Sequence, residues 1–338
     1  MGPTMSAVTA QLSGSAFIAN LGPGEKSIAR FLLTLLLGAV AFVMAAVVGV
    51  FVSFGVLIAF AGWPAPTDLA RLQSLLRRFL DLVASDGRSL DSALQIMAVA
   101  IPDNVFPIFA VIGVAALVHQ RPLGAFATSA PRFRWRLLIG GLALSLLIIG
   151  PYMIIGQWLD PKATAAPLLT VSRDNGQRAL YVVACIVAFL PAALGEEMLF
   201  RGWLLRQTSG VFRNPAVLIV LNGVVFAAAH LQFAPDAFLE RLILGAAFAY
   251  MTLRLGGIEF STGAHFANNL IVVLLFEPLT LRAPPSNPVT IDVLAEYAFL
   301  LGSFIVMTEI IVRWTPLRRW TGADRATPPA TAAAEPAS

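Results

Sequence analysis

The sequence predicts an all-α, polytopic membrane protein, with about eight transmembrane helices around a polar intramembrane site. Three observations predict it. Of the 338 residues, 58% are hydrophobic and 12% charged, against roughly half and a quarter in a soluble domain. Apolar runs long enough to cross a bilayer, about 17–25 residues each, recur along the chain. A few ionisable residues lie inside those runs, where each costs about 3 kcal/mol on insertion scales and so needs a partner or a purpose.

Residues 1–28 form a polar N-terminal segment containing Gly, Pro and Ser and no short apolar core. The first apolar run, 29–62, is too long for a cleavable signal peptide and is expected to stay as an anchor. Residues 66–84, PTDLARLQSLLRRFLDLVA, look soluble. Leu69, Leu72, Leu75, Leu76, Phe79 and Leu80 recur at helical spacing, with Arg71, Arg77, Arg78 and Asp81 opposite. That pattern predicts an amphipathic helix lying on the bilayer surface.

Further runs lie at 93–118 and 137–158, completing N-terminal transmembrane helices within 29–176. Prolines in AIPDNVFP (100–107) and IIGPYMIIG (148–156) predict kinks. Asp103 and Asn104 at the first kink are expected to bond locally. PRFRWRLL (131–138) is a basic, aromatic flank whose Trp135 and arginines read as interface anchors. The second half, 177–313, holds runs at 179–200, 216–232, 238–254, 257–276 and 293–313. Residues 314–338 end in a Pro/Ala/Thr string and are expected to form a disordered tail.

The net charge is +4. The cations sit in short loops beside apolar runs, where they set topology, so nucleic acid is not an expected partner. With the N-terminus inside, the inner segments hold 14 of the 23 Lys and Arg. This bias predicts cytoplasmic termini, in the plasma membrane. The lone cysteine, Cys185, excludes a disulfide or a cysteine metal site within one chain and reads as a small buried hydrophobe. The oligomeric state is not legible.

The chemistry lies in three strings. In LGEEMLFRGWLL (194–205), Glu197 and Arg201 are i and i+4, on one helical face and in the order that favours pairing. Glu196 lies about 100° around the helix, free to face a cavity. In NGVVFAAAHL (222–231), Phe226 and His230 are i and i+4. In GAHFANNLIVVLL (263–275), His265 and Asn269 share a face while Asn268 points elsewhere.

The string QTSGVFRNP (207–215) is a turn. With Phe212 as its tip, Glu196 lies 16 residues before and His230 18 after, at nearly one depth. The turn at LGG (255–257) then returns a helix carrying His265. Three helices can thus bring a carboxylate, two imidazoles and a carboxamide to one pocket among apolar walls. A carboxylate can act as general base on water. A histidine can share that proton, and a second histidine and an asparagine can donate to an oxyanion. Glu196, His230 and His265 could instead hold a divalent metal such as zinc, with a position open for water.

At these residues the sequence resembles the CPBP family, the intramembrane CAAX-prenyl-endopeptidase and Abi-type proteins. The family's EExxxR, FxxxH and HxxxN strings match Glu196 to Arg201, Phe226 to His230 and His265 to Asn269. The resemblance covers roughly residues 180–276 and makes 177–313 a CPBP-like protease core. It implies an endopeptidase acting on a membrane-associated substrate, prenylated CAAX-like peptides included. It implies that Glu196 and His230 activate water and that His265 and Asn269 stabilise the oxyanion. Glu197, Arg201 and Phe226 become supporting residues. The resemblance leaves both a metal-dependent and a metal-free mechanism open. Two other readings compete. One is a non-catalytic scaffold or bacteriocin-immunity-type protein, which the retention of all four candidate groups disfavours. The other is a proton-coupled transporter, which would need more polar groups outside the cluster.

Overall fold

A computed structural model describes residues 11–19, 21–22, 24–61, 69–159, 164–282 and 286–326. Its elements are helical. Among the described residues the only β pairings are isolated bridges, Asp86 with Thr280 and Thr128 with Gly257.

Helix α1 (Ile28–Ala61) is apolar on all sides and packs along α3 (Leu90–His119). The chain passes from one to the other through α2 (Leu69–Ala84), whose Phe79 ring stacks on Phe54 at 5.3 Å while Leu69, Leu76 and Leu80 stay exposed. Such an uncovered apolar stripe suits the bilayer surface. Residues 66–68 of the expected amphipathic helix, and the side chains of Arg71, Leu72, Leu75 and Arg78, lie outside the described residues.

Pro102 and Pro107 are carried inside α3 without ending it. Asn104 Nδ2 donates to Ala100 O at 2.7 Å, the local bond expected at a proline-broken turn. Asp103 faces α1, where a Cβ on Gly49 would lie 2.8 Å from its Oδ1.

Helix α4 (Trp135–Leu159) leads to α5 (Asn175–Glu197), which Asp174 caps by accepting from the Gln177 N–H at 2.8 Å. The chain continues through a π-helical segment, Met198–Leu204, and a last turn, Leu205–Ser209. Helix α6 (Pro215–Ala229) starts after the Asn214 cap, with Pro215 supplying the fixed φ of a first turn. Helix α7 (Pro235–Leu255) ends on Gly256 at φ +69°, the left-handed cap that glycine adopts without strain. Helix α8 (Glu259–Ile271) runs into a second π-helical segment, Val272–Phe276. Helices α9 (Ile291–Arg313) and α10 (Thr315–Thr321) lie beyond it.

Five helices, α1, α3, α4, α5 with its continuation, and α9, are long and apolar enough to cross a bilayer. The other three expected spans fall short for physical reasons. Helix α6 has 15 residues, and α8, 18 residues with its π-helical continuation, carries Glu259, His265, Asn268 and Asn269. Helix α7 has the length but carries Asp236, Glu240, Arg241 and Arg254. Helix α8 is nonetheless enclosed: Glu259 through Ala267 are all buried.

The main core lies between α4, α7, α8 and α9, around Phe248, Phe260, Phe304 and Met307. Glycine lets two crossings close: Gly141 on α4 meets Phe260 O, and Gly263 on α8 meets Leu138 O, nearer than a Cβ would allow. Cys185 is buried and free, packed with Tyr181 and Ala188.

Described residues of both terminal segments are packed against the helices, those after Arg313 against the expectation of a disordered tail. Phe17 is fully buried with Phe126, Met198 and Trp203. The expected C-terminal tail at 314–338 begins with α10, whose Thr321 is buried, because its apolar residues find α4 to cover. Residues 327–338 of that tail lie outside the described residues. Ion pairs join Glu25 to Arg121 and Arg206, Arg134 to Glu259 and Arg254 to Glu309. They tie together segments that the arginine bias assigns to one side.

Candidate active site

The site is built on the break between α5 and its π-helical continuation. Within it the Leu205 N–H reaches back five residues to Phe200 O. A π turn widens the helix and shifts the register of the residues beyond it, and such turns gather at functional sites. Phe200 O also accepts from Asn222 Nδ2 at 2.7 Å, so α6 satisfies part of the irregular backbone.

Glu197 is fully buried. Its Oε1 accepts from Arg201 Nη1 at 2.9 Å, the i, i+4 pair read from the sequence. Arg201 is equally buried and donates from Nη2 to Gly245 O at 3.1 Å. Three rings enclose the guanidinium, its Cζ lying 4.4 Å from the centroid of Phe226, 5.3 Å from Phe248 and 5.9 Å from Phe200. Arginine suits such a place because a weakly hydrated, planar cation both pairs and stacks.

The same Glu197 Oε1 lies 3.0 Å from His265 Nδ1. A carboxylate only accepts, so Nδ1 carries the proton and Nε2 is turned outward. That Nε2 stands 3.8 Å from Glu196 Oε2. His265 therefore lies between the two adjacent carboxylates. Phe248 stacks on its ring at 5.0 Å.

Glu196 differs from its neighbour. Its side chain is 22% exposed. Its Oε2 is enclosed yet has no hydrogen-bond partner among the described residues.

His230 lies at the C-cap of α6 rather than inside a spanning helix, because α6 stops at Ala229 and Leu231 turns at φ +54°. Its Nδ1 lies 2.8 Å from Phe226 O. A carbonyl only accepts, so this nitrogen too is the donor and Nε2 is left for chemistry. Phe226 stands between the histidines, its centroid 4.7 Å from His230 and 6.0 Å from His265.

Both histidines line a cavity of about 630 Å³, together with Phe226, Asn268 and Asn269. That is the size of a small-molecule site. Asn268 is thus at the cavity with Asn269, although helical spacing places it on another face. The second π-helical segment begins only three residues later, at Val272. Glu196 is not on the cavity wall; it meets the lining through His265. Asp236 and Glu240 of α7 also line the cavity.

The metal alternative fares differently. Among the described residues no three His, Cys, Asp or Glu side chains are grouped to hold a metal ion. Glu196 and His265 approach each other, and His230, its Nδ1 on Phe226 O and its Nε2 left toward the cavity, is not grouped with them. Among the described residues, then, Glu196, His230 and His265 are not drawn together as a metal-ligand set.

The sequence strings miss Phe248 and Gly245, and Asn222 opens the string 222–231 without being given a role. Their only signal is their place on α7 and α6, the helices that turn toward the motif.

Residues 178–271 match the family model described as type II CAAX prenyl endopeptidase Rce1-like. A curated relative, the uncharacterized protein YyaK of Bacillus subtilis (strain 168), is 27% identical over 181 residues, covering 51% of this chain and 59% of that one. The chain thus spans less than two thirds of that relative's length. No solved structure matches the chain.

Proposed function

We propose that this chain, whose residues 178–271 match the type II CAAX prenyl endopeptidase Rce1-like model, hydrolyses peptide bonds of a membrane-associated substrate. The observation that carries the reading is the Glu196 carboxylate, whose Oε2 has no hydrogen bond among the described residues and stands 3.8 Å from His265 Nε2, beside a cavity lined by His230 and Asn269.

In this reading Glu196 takes a proton from water as its oxygen attacks the scissile carbonyl. His230, with Nδ1 held by Phe226 O, accepts or returns a proton at Nε2. Asn269 donates to the oxyanion. His265 Nε2 joins it when the ring carries both protons, and Glu197 holds that ring in place through Nδ1. The proton on Glu196 then passes to the leaving amine, so no covalent intermediate forms. No step runs through a metal. The substrate class is a peptide reached from the bilayer, with a prenylated CAAX-like segment as the first to try. We place both termini in the cytoplasm of the plasma membrane, following the arginine bias.

The test is comparative membrane proteomics of cells carrying wild-type protein or Glu196→Gln. Cleavage should fall about 100-fold or more without the base, with the protein inserted and folded as before. Peptide products equally abundant in both cells would remove Glu196 from the reaction.

A further inference from the structure

A second cavity, of 570 Å³, lies far along the chain from Glu196, where the start of α4 meets α10. Its walls include Arg132, Arg134, Trp135 and Arg136 from one segment, and Trp320 and Arg325 from another. We propose that this cavity binds the phosphate group of an anionic phospholipid. The proposal stands independently of the hydrolase reading.

The cations of this cavity differ in how they are engaged. Arg134 is buried and committed: Nε lies 2.8 Å from Glu259 Oε1, Nη2 2.7 Å from Oε2, and Nη1 donates to Leu255 O at 2.9 Å. It is structural and holds the N-terminus of α8. Arg132, Arg136 and Arg325 are exposed at the cavity. Among the described residues none of the three has a carboxylate partner. The Arg136 Cζ instead lies 5.9 Å from the Trp320 ring centroid.

Three like charges drawn to one concavity repel each other unless an anion joins them. Guanidinium groups match phosphate oxygens in geometry and hold them bidentately. The location decides the source. Trp135 opens the spanning helix α4, and Trp320 lies just past the spanning helix α9 on the same side; both rings are exposed. Exposed tryptophans at span ends sit at the headgroup level. Basic pockets between spans at that level take anionic headgroups. The two halves meet beneath the cavity, where Thr321 is buried, close enough to α4 that a Cβ on Gly140 would lie 3.6 Å from its Cγ2. The site is therefore assembled by the fold and not by a single basic string.

The test uses purified, delipidated full-length protein in zwitterionic detergent, followed by thermal unfolding. Phosphatidylglycerol, phosphatidylcholine and inorganic phosphate are added separately at equal concentration. Phosphatidylglycerol should raise the midpoint by about 3 °C or more over phosphatidylcholine. Inorganic phosphate should give less than half that gain. Arg132→Gln/Arg136→Gln/Arg325→Gln should abolish the difference, whereas Arg213→Gln, an exposed arginine elsewhere, should keep it. Should the triple variant fold poorly, Arg136→Gln alone should lose a measurable part. Equal gains from both lipids, or an unchanged gain in the arginine variants, overturn the site. A gain from inorganic phosphate equal to that from phosphatidylglycerol overturns the lipid as its source.

Discussion

His265 and Glu197, 68 residues apart, are joined by a 3.0 Å contact between Nδ1 and Oε1, with Glu197 fully buried. One carboxylate oxygen thus accepts twice, since Arg201 Nη1 donates to it at 2.9 Å as well. The pairing fixes which imidazole nitrogen faces Glu196. It makes Glu197 a positioning residue for the adjacent site, through both the cation behind it and the ring in front.

Removing either member of the Glu197–Arg201 pair should be costly. Glu197→Ala strands a guanidinium among three phenylalanine rings, and Arg201→Ala strands a carboxylate. Each should lower stability by about 3–5 kcal/mol, visible as a lower midpoint in detergent and lower membrane yield. The double variant should cost less than the sum of the two, because neither charge remains to be left alone. Glu196→Ala should shift the midpoint far less, since its enclosed Oε2 has no hydrogen bond among the described residues to lose. An Arg201→Ala protein that melts with wild type would show the pair to be idle.

Asn222 gives a narrower test. Its Nδ2 donates to Phe200 O within the π-helical segment, and its side chain is buried. Asn222→Leu keeps the volume and removes the donor, leaving Phe200 O with the Leu205 N–H alone, at a cost of about 0.5–1.5 kcal/mol. Asn222→Asp cannot donate when ionised and should do no better. Thermal unfolding of the two variants beside wild type decides it.

Glu197 with Arg201 is legible in the sequence because i and i+4 neighbours on a helix meet whatever the tertiary structure. The three-string site is legible because hairpin arithmetic puts Glu196 and the histidines near one depth. His265 as the bridge between two carboxylates is not, since spacing says nothing of rotation between helices. His230 at a helix end is hidden by the alanine run before it, which looks helical throughout. Asn268 at the cavity is hidden too, because helical spacing alone gives one preferred face. Five of the eight expected spans are long and apolar enough to cross a bilayer, because apolar length in the sequence does not distinguish a helix facing lipid from one, like α8, enclosed by its neighbours. Phe17 and Glu25 escape notice because a polar segment rich in Gly and Ser carries no periodic signal.

Glu25 predicts a dependence on acid. It is buried beside Arg206, whose Nε lies 2.6 Å from Oε1, and it also pairs with Arg121 and accepts from the Gly22 N–H at 2.8 Å. Burial pushes its carboxyl up, but the pairing with Arg206, the Gly22 bond and Arg121 more than offset this, and it is held below the ordinary 4.5. A carboxyl depressed on folding contributes stability fully above its unfolded value, and that contribution is lost as pH falls through the folded value. The N-terminal segment should therefore stay clamped down to about pH 4.5 and loosen below it. Protease nicking near residue 25, followed against pH, should show the onset. Glu25→Gln should be nicked at neutral pH and lose the dependence. Nicking that rises equally with acid in both proteins would place the sensitive group elsewhere.

Gly263 is the strictest test of how α8 is seated. A Cβ there would meet Leu138 O and lie 2.8 Å from Leu142 N, both backbone atoms of α4 that no rotamer change can move. Gly263→Ala should force the helices apart and cost about 1–3 kcal/mol. Two residues on, His265 would be drawn from Glu197, so activity should fall by more than the loss of folded protein accounts for. Gly302 on α9 is the counterpart, with nothing within 4 Å of an added Cβ. Gly302→Ala should be neutral or gain up to about 1 kcal/mol from helix propensity. Measured side by side, the two alanines separate a glycine required by a close backbone approach from one the fold merely tolerates; equal midpoints would mean that α4 and α8 do not cross as closely as described.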